Sequence, residues 1–196
     1  MANLLVENVG GPSVKPYQPE GLWTDLVQDG TGRNRYIQDH GDKLYRRSVY
    51  SFWKRTIPPP SMGNFDAPSR ESCILQRGVT NSPLQALDLM NDVTYLEAAR
   101  MIGERMMKEG GSTPEARIAF AFRLATGRTP NQRESQILSN SFHSALDRFQ
   151  TKPDAAAQFL EVGEHPRDQR LDVKELAAYA NVASLILNFD ETVTRE

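Results

Sequence analysis

Three consecutive prolines, Pro58, Pro59 and Pro60, set the first limit on this 196-residue chain. No helix or strand runs through them, because proline has no amide donor and Pro58 pushes Ile57 out of the helical region. Upstream, Asp42 to about Ile57 reads as a helix capped by Asp42, with Tyr45, Val49, Phe52 and Thr56 on one face. Downstream, SMGNFDAPSRESCILQRGVTNS is irregular and polar. A loop of about twenty residues inside a compact domain is either functional or firmly pinned.

After that segment the helical grammar is regular. Ser82 and Pro83 read as a cap and a first helical residue, with Leu84, Leu87, Leu89 and Met90 following. A break or bend is expected at Asn91-Asp92 before the pattern resumes to Gly110-Gly111. Thr113-Pro114-Glu115 opens the next helix and Gly127 closes it, and Thr129-Pro130 opens another that forms an antiparallel hairpin with it. A short helix from Pro153 towards Gly163 follows. The last helix begins near Asp172, continues to Thr192, and is apolar enough from Val182 to Leu187 to lie buried among the others.

No stretch alternates with period two, so the chain reads as all-α: about six or seven helices, with a long ordered loop. Residues 1–41 read as an extended arm, since residues 8–35 hold many prolines and glycines, and residues 42–196 as one helical domain. Tyr17, Leu22 and Trp23 are the arm's expected anchors.

Composition narrows the function classes. Hydrophobic residues make up 39% and charged residues 24% of the chain, which suits a globular domain and excludes general disorder. A net charge of −2 gives no overall attraction to nucleic acid or anionic lipid. The single cysteine, Cys73, excludes an internal disulfide and reads as a small buried apolar residue. His40, His143 and His165 share no metal-ligand spacing, so no metal site and no cofactor is expected of this chain. Met90, Met101, Met106 and Met107 read as core filling rather than haem ligands. No membrane span is visible and the N-terminus lacks a signal-peptide pattern.

Two clusters carry possible chemistry. Arg46, Arg47, Lys54 and Arg55, with Tyr45, Tyr50 and Trp53, suit an anionic or carbohydrate ligand, because guanidinium groups bind sulfate or phosphate and rings stack on sugars. The plainer reading is a solvated, ion-paired helix face. Asp66, Arg70 and Glu71, joined by Asn81, Gln85, Asn91 and Asp92, form the second cluster. Asp66 and Glu71 suit an acid and base pair or a hard cation, whereas the plainer reading has these groups pinning the long loop. The candidates are therefore Asp66, Arg70 and Glu71 for catalysis, and Arg46, Arg47, Trp53, Lys54, Asn81 and Asn91 for ligand binding.

YRRSVYSFWKRTIPPPSMGNFDAPSRESC, TNSPLQALDLMND and ELAAYANVASLILNFDETVTRE together resemble the C-terminal half of the PSD-one family, a planctomycete-type domain of unknown function. GGPSVKPYQPEGLW resembles the same family's approach to that core. The resemblance implies an exported or periplasmic protein, with haem only on a companion cytochrome c domain. The leading functional reading is a non-catalytic helical module that binds a partner domain or an anionic or carbohydrate ligand through the Arg46 to Asp92 surface. The alternative is part of a hydrolase or a cytochrome-linked oxidoreductase with its carboxylates between residues 61 and 92. The haem motif, companion domain and signal sequence of the family pattern are missing, so the chain reads as a fragment or a reduced relative. No catalytic residue carries over.

Overall fold

The computed structural model describes residues 1–22, 36–54 and 57–194, and the expectations for Trp23, Arg55 and Thr56 lie outside them. Its described residues form two compact units, Leu4–Thr80 and Met1–Asn3 with Asn81–Glu196. The fold is all-α, with eight α-helices and only isolated bridges in place of strands among the described residues.

In the Leu4–Thr80 unit the helix expected over 42–57 does not form among the described residues. Gly41–Tyr45 and Ser48–Tyr50 are short 3-10 turns, and Arg46 between them is extended at φ −74°, ψ 156°. The backbone here pairs with the arm instead of with itself. The Val6 amide donates to the Tyr45 carbonyl at 2.9 Å, Val14 to Tyr50 at 2.8 Å, and Phe52 to Val14 at 2.7 Å. Val49 consequently stands 69% exposed, although its spacing assigns it to the apolar face. The triple proline starts a helix rather than ending one. Pro60 is the first residue of α1 (Pro60–Asn64), a position where the missing amide costs nothing.

The second unit holds the remaining helices: α2 (Pro83–Asn91), α3 (Val93–Glu109), α4 (Pro114–Thr126), α5 (Gln132–Thr151), α6 (Pro153–Leu160), α7 (Val173–Leu187) and α8 (Asp190–Val193). Most boundaries follow from the residues. Ser82 and Gln85 form a reciprocal capping box at α2, and the expected break falls at Asp92, whose carboxylate accepts from the Thr94 amide at 2.8 Å to start α3. Thr113 caps α4 and Gly127, at φ +79°, closes it in the left-handed region where glycine has no steric penalty. Two starts and stops differ from expectation. Asn131, not Thr129, caps α5, because Asn131 and Glu134 complete a second capping box. The last helix stops at Leu187, and Phe189 turns so that its ring meets Phe122 edge-on at 5.9 Å before α8 begins.

Helix α7 is the centre of this unit and packs against α3, α4, α5 and α6. Leu176 to Ala180, Val182, Ala183 and Ile186 are all buried, which is why its sequence is apolar around most of its circumference. Small residues let α3 approach closely: a methyl at Gly103 would sit 3.0 Å from the Ala180 nitrogen. Tyr179 stacks on Phe142 of α5 at 4.4 Å between ring centroids.

The α4–α5 turn carries an exposed ionic clamp. Arg128 lies over the Phe122 ring at 4.8 Å and reaches Glu134 at 2.7 Å and Glu191 at 2.6 Å. Hydrogen bonds from the Arg128 side chain, and then from the Asn131 amide, lower the Glu134 carboxyl from 4.5 to about 2. A depressed carboxylate stabilises the fold above its unfolded pKa and loses that contribution as pH falls through the folded value. Stability is therefore expected to decline between about pH 4.5 and 2, and Glu134→Gln should flatten part of that decline in thermal melts. A variant whose acid slope equals that of the parent would show that the clamp has no influence on stability. The effect should shrink in high salt, since the groups are exposed.

Candidate functional site

The cationic cluster is largely occupied by its own unit. Arg46 donates to the carbonyls of Asn8 at 2.7 Å and Gly10 at 2.6 Å, and its guanidinium lies over the Tyr50 ring at 3.9 Å. The Tyr50 hydroxyl in turn accepts from the Gly10 amide at 2.9 Å. Arg46 and Tyr50 thus hold the arm in place. Arg47 is exposed and pairs with Glu7 at 3.2 Å, and Arg70 reaches back to stack on Trp53 at 4.3 Å. Lys54 takes part in a local bridge with Ile57.

The long loop is cinched at its neck. Asp66, at φ +57°, accepts from the Thr80 amide at 2.9 Å and from the Thr80 hydroxyl at 3.0 Å. Arg77 closes the same neck by donating to the Asp66 and Phe65 carbonyls, each at 3.0 Å. Between these ties every residue from Ser69 to Thr80 is exposed, including Glu71 and Cys73. Cys73 therefore does not take the buried position its sequence context suggests, because no helix carries it inward. Asp66 and Thr80 close a loop, and Arg70 stacks on an indole, so these groups work as loop ties.

Asn81, Gln85, Asn91 and Asp92 belong to the other unit. Asn81 donates to the Asp190 carboxylate at 2.6 Å, Asn91 to the Leu87 carbonyl at 2.8 Å, and Gln85 and Asp92 are helix caps. Helix α2 that follows Asn81 is inverted relative to an ordinary amphipathic helix. It buries Gln85 and Leu89 while Leu84, Leu87 and Met90 stand 58%, 57% and 53% exposed. Met90 is thus not core filling, although Met106 is fully buried.

The most buried polar constellation is not legible as a site in the sequence. On α3, Glu97, Arg100 and Glu104 are all buried, with Arg100 lying 3.5 Å from each carboxylate. Together they hold the segment after α6. Glu97 accepts from the His165 amide at 2.6 Å, Arg100 donates to the His165 carbonyl at 2.6 Å, and Glu104 accepts from the Asp168 amide at 3.2 Å. Lys108 extends the array to Asp168 at 2.9 Å. The Arg170 guanidinium and then Lys108 hold the Asp168 carboxyl well below the usual carboxylate range. Gly163 leaves Glu97 its room, since a methyl there would overlap the Glu97 carboxyl group. The sequence signal is the i, i+3, i+7 spacing of Glu97, Arg100 and Glu104, which by itself describes a solvated helix face.

Among the described residues no three His, Cys, Asp or Glu side chains are placed to hold a metal ion, and no helix is long and apolar enough to cross a membrane. His143 Nδ1 lies 2.8 Å from the Ser139 carbonyl one turn earlier, and His165 contributes its backbone to the α3 array. No curated protein and no solved structure matches the chain. One family model does, over residues 1–142, and it carries the description PSD1, protein of unknown function (DUF1553). That match covers the loop-bearing unit and runs through α2, α3 and α4 into α5, so the chain belongs to the DUF1553 family.

Proposed function

We propose that the chain is a non-catalytic helical module that docks a companion protein domain through the exposed face of α2. The inversion of α2 carries this reading. A nine-residue helix that turns a glutamine inward and two leucines and a methionine outward gains little by folding that way alone, and gains when a partner covers the outer face. The same stretch of chain is depleted in charge. From Pro83 to Asn91 only Asp88 is ionic, against 24% of the whole sequence, and interface centres share that depletion. Arg46, Asp66, Asn81 and Asn91 are already engaged in internal hydrogen bonds, which favours a docking role over binding of a small anion or catalysis by the loop carboxylates.

On this reading the partner is the companion domain of planctomycete-type relatives, in an exported or periplasmic setting, and any haem belongs to that companion. The test is calorimetric titration of the full chain with such a companion domain, repeated with the Leu87→Ser, Met90→Ser variant. Removing two central apolar contacts should weaken binding at least about tenfold, while surface replacements leave the melting temperature nearly unchanged. Equal affinity of parent and variant, or no binding by the parent, would sink the reading.

A further inference from the structure

We infer that the tip of the cinched loop, Ile74-Leu75, is a processing site at which an endoprotease selective for large apolar side chains cuts the folded chain. Three observations converge on it. Residues 69–81 form an unbroken run of thirteen exposed residues, none of them helical. Within that run Leu75 is 105% and Ile74 47% exposed, so the side chains a protease pocket must seize are already in solvent. The neighbouring cations are tied back, Arg70 to the Trp53 ring and Arg77 to the Phe65 and Asp66 carbonyls, which disfavours a protease that selects arginine.

Exposure elsewhere among the described residues does not offer the same substrate. Leu84, Leu87, Met90 and Ile137 are also exposed, yet they sit within α2 and α5, and a helix must unwind before it can enter a protease cleft. Leu5, Val9, Ile37 and Val49 are exposed outside the α-helices, but their segments are tied to one another by the Val6–Tyr45, Val14–Tyr50 and Asp39–Lys15 backbone bonds and by Arg46 on the Asn8 and Gly10 carbonyls, and Val79 adjoins the Thr80 tie at the neck. The loop needs no such opening beyond its neck. Hydrolysis adds water across the Cys73–Ile74 or Ile74–Leu75 peptide bond. The hydroxyl goes to the carbonyl carbon, leaving a carboxylate on the first fragment, and a proton goes to the departing nitrogen, leaving an amine on the second. That second fragment keeps every residue of the main hydrophobic core, which runs from Ala99 to Ile186.

The experiment is brief digestion of the intact chain with thermolysin, which selects a large apolar residue on the amine side of the cut, followed by mass measurement of the first products. The expected first fragments begin at Ile74 or Leu75, and the larger one persists. Ile74→Asp, Leu75→Asp should slow that first cut by at least about tenfold, as expected when a specificity pocket loses its side chain, without moving the melting temperature. Thr80→Val, which removes a neck hydrogen bond, should speed it. A first cut anywhere else, or an unchanged rate in the double variant, would overturn the inference.

Discussion

A chain ending at residue 142 loses cooperative unfolding, although it retains the entire stretch matched by the family model. Twelve of the twenty residues in the main core cluster lie beyond that point: Ala145 and Phe149 of α5, Ala156 and Leu160 of α6, and eight residues of α7. Without α7, Ile102 and Met106 of α3 and Ile118 and Phe122 of α4 face water, and Phe142 loses its stacking partner Tyr179. Each large side chain returned to solvent forfeits roughly 1.5–3 kcal/mol, against a total stability of about 5–15 kcal/mol for an ordinary domain. The measurement is circular dichroism and calorimetry of residues 1–142 beside residues 81–196. The longer-cored piece should melt in one sharp transition and the family-matched piece should not. A cooperative melt of residues 1–142 would show that α7 is dispensable and that the core does not depend on it.

Residues that speak locally are the ones the sequence makes readable. Ser82-Pro83, Asp92, Thr113-Pro114, Gly127 and Asp172 each mark a boundary through chemistry confined to three or four neighbours, and each boundary appears where that chemistry puts it. The segment from Asp42 to Ile57 misleads because its helical spacing is real but its backbone has a better partner. Val6 and Val14, two points of the arm with a bend between them, bond the backbone of residues 45–52, and such a pairing across about forty positions leaves no local trace. The Thr129-Pro130 signal loses to Asn131 because Glu134 completes a reciprocal cap one turn later. The exposure of α2 escapes for a different reason. Its leucines and methionine have the spacing of a core-facing stripe, and only the position of the neighbouring helices decides that Gln85 and Leu89 point inward. In the candidate site, Asp66, Arg70 and Asn81 read from sequence as polar residues of an ordered loop and its exit. What each one grips, a threonine, an indole and an aspartate of α8, is set by tertiary contact alone.

Arg100→Ala is the single substitution expected to harm the helical unit most. It would leave Glu97 and Glu104 in a buried position without their shared cation, and it would strip the His165 carbonyl of its donor. Breaking a buried ion pair by removing one partner costs about 3–5 kcal/mol, because the desolvation of the remaining charge is no longer offset. Lys108 softens the loss at Glu104, which it meets at 3.2 Å, whereas Glu97 is tied into the array through Arg100 and the His165 amide. Arg100→Lys should recover only part of the loss, since an ammonium keeps the charge but lacks the planar fork that reaches two carboxylates and a carbonyl together. Glu97→Gln is the milder change: the amide oxygen still accepts from the His165 amide, so the segment after α6 keeps its first anchor. Urea unfolding of the four proteins, followed by far-ultraviolet circular dichroism, orders them as parent, Glu97→Gln, Arg100→Lys, Arg100→Ala, with the midpoint shifting and the slope unchanged. A loss below about 1 kcal/mol for Arg100→Ala would mean that water reaches these carboxylates and that packing of α7 on α3, not the ionic array, holds the segment between α6 and α7.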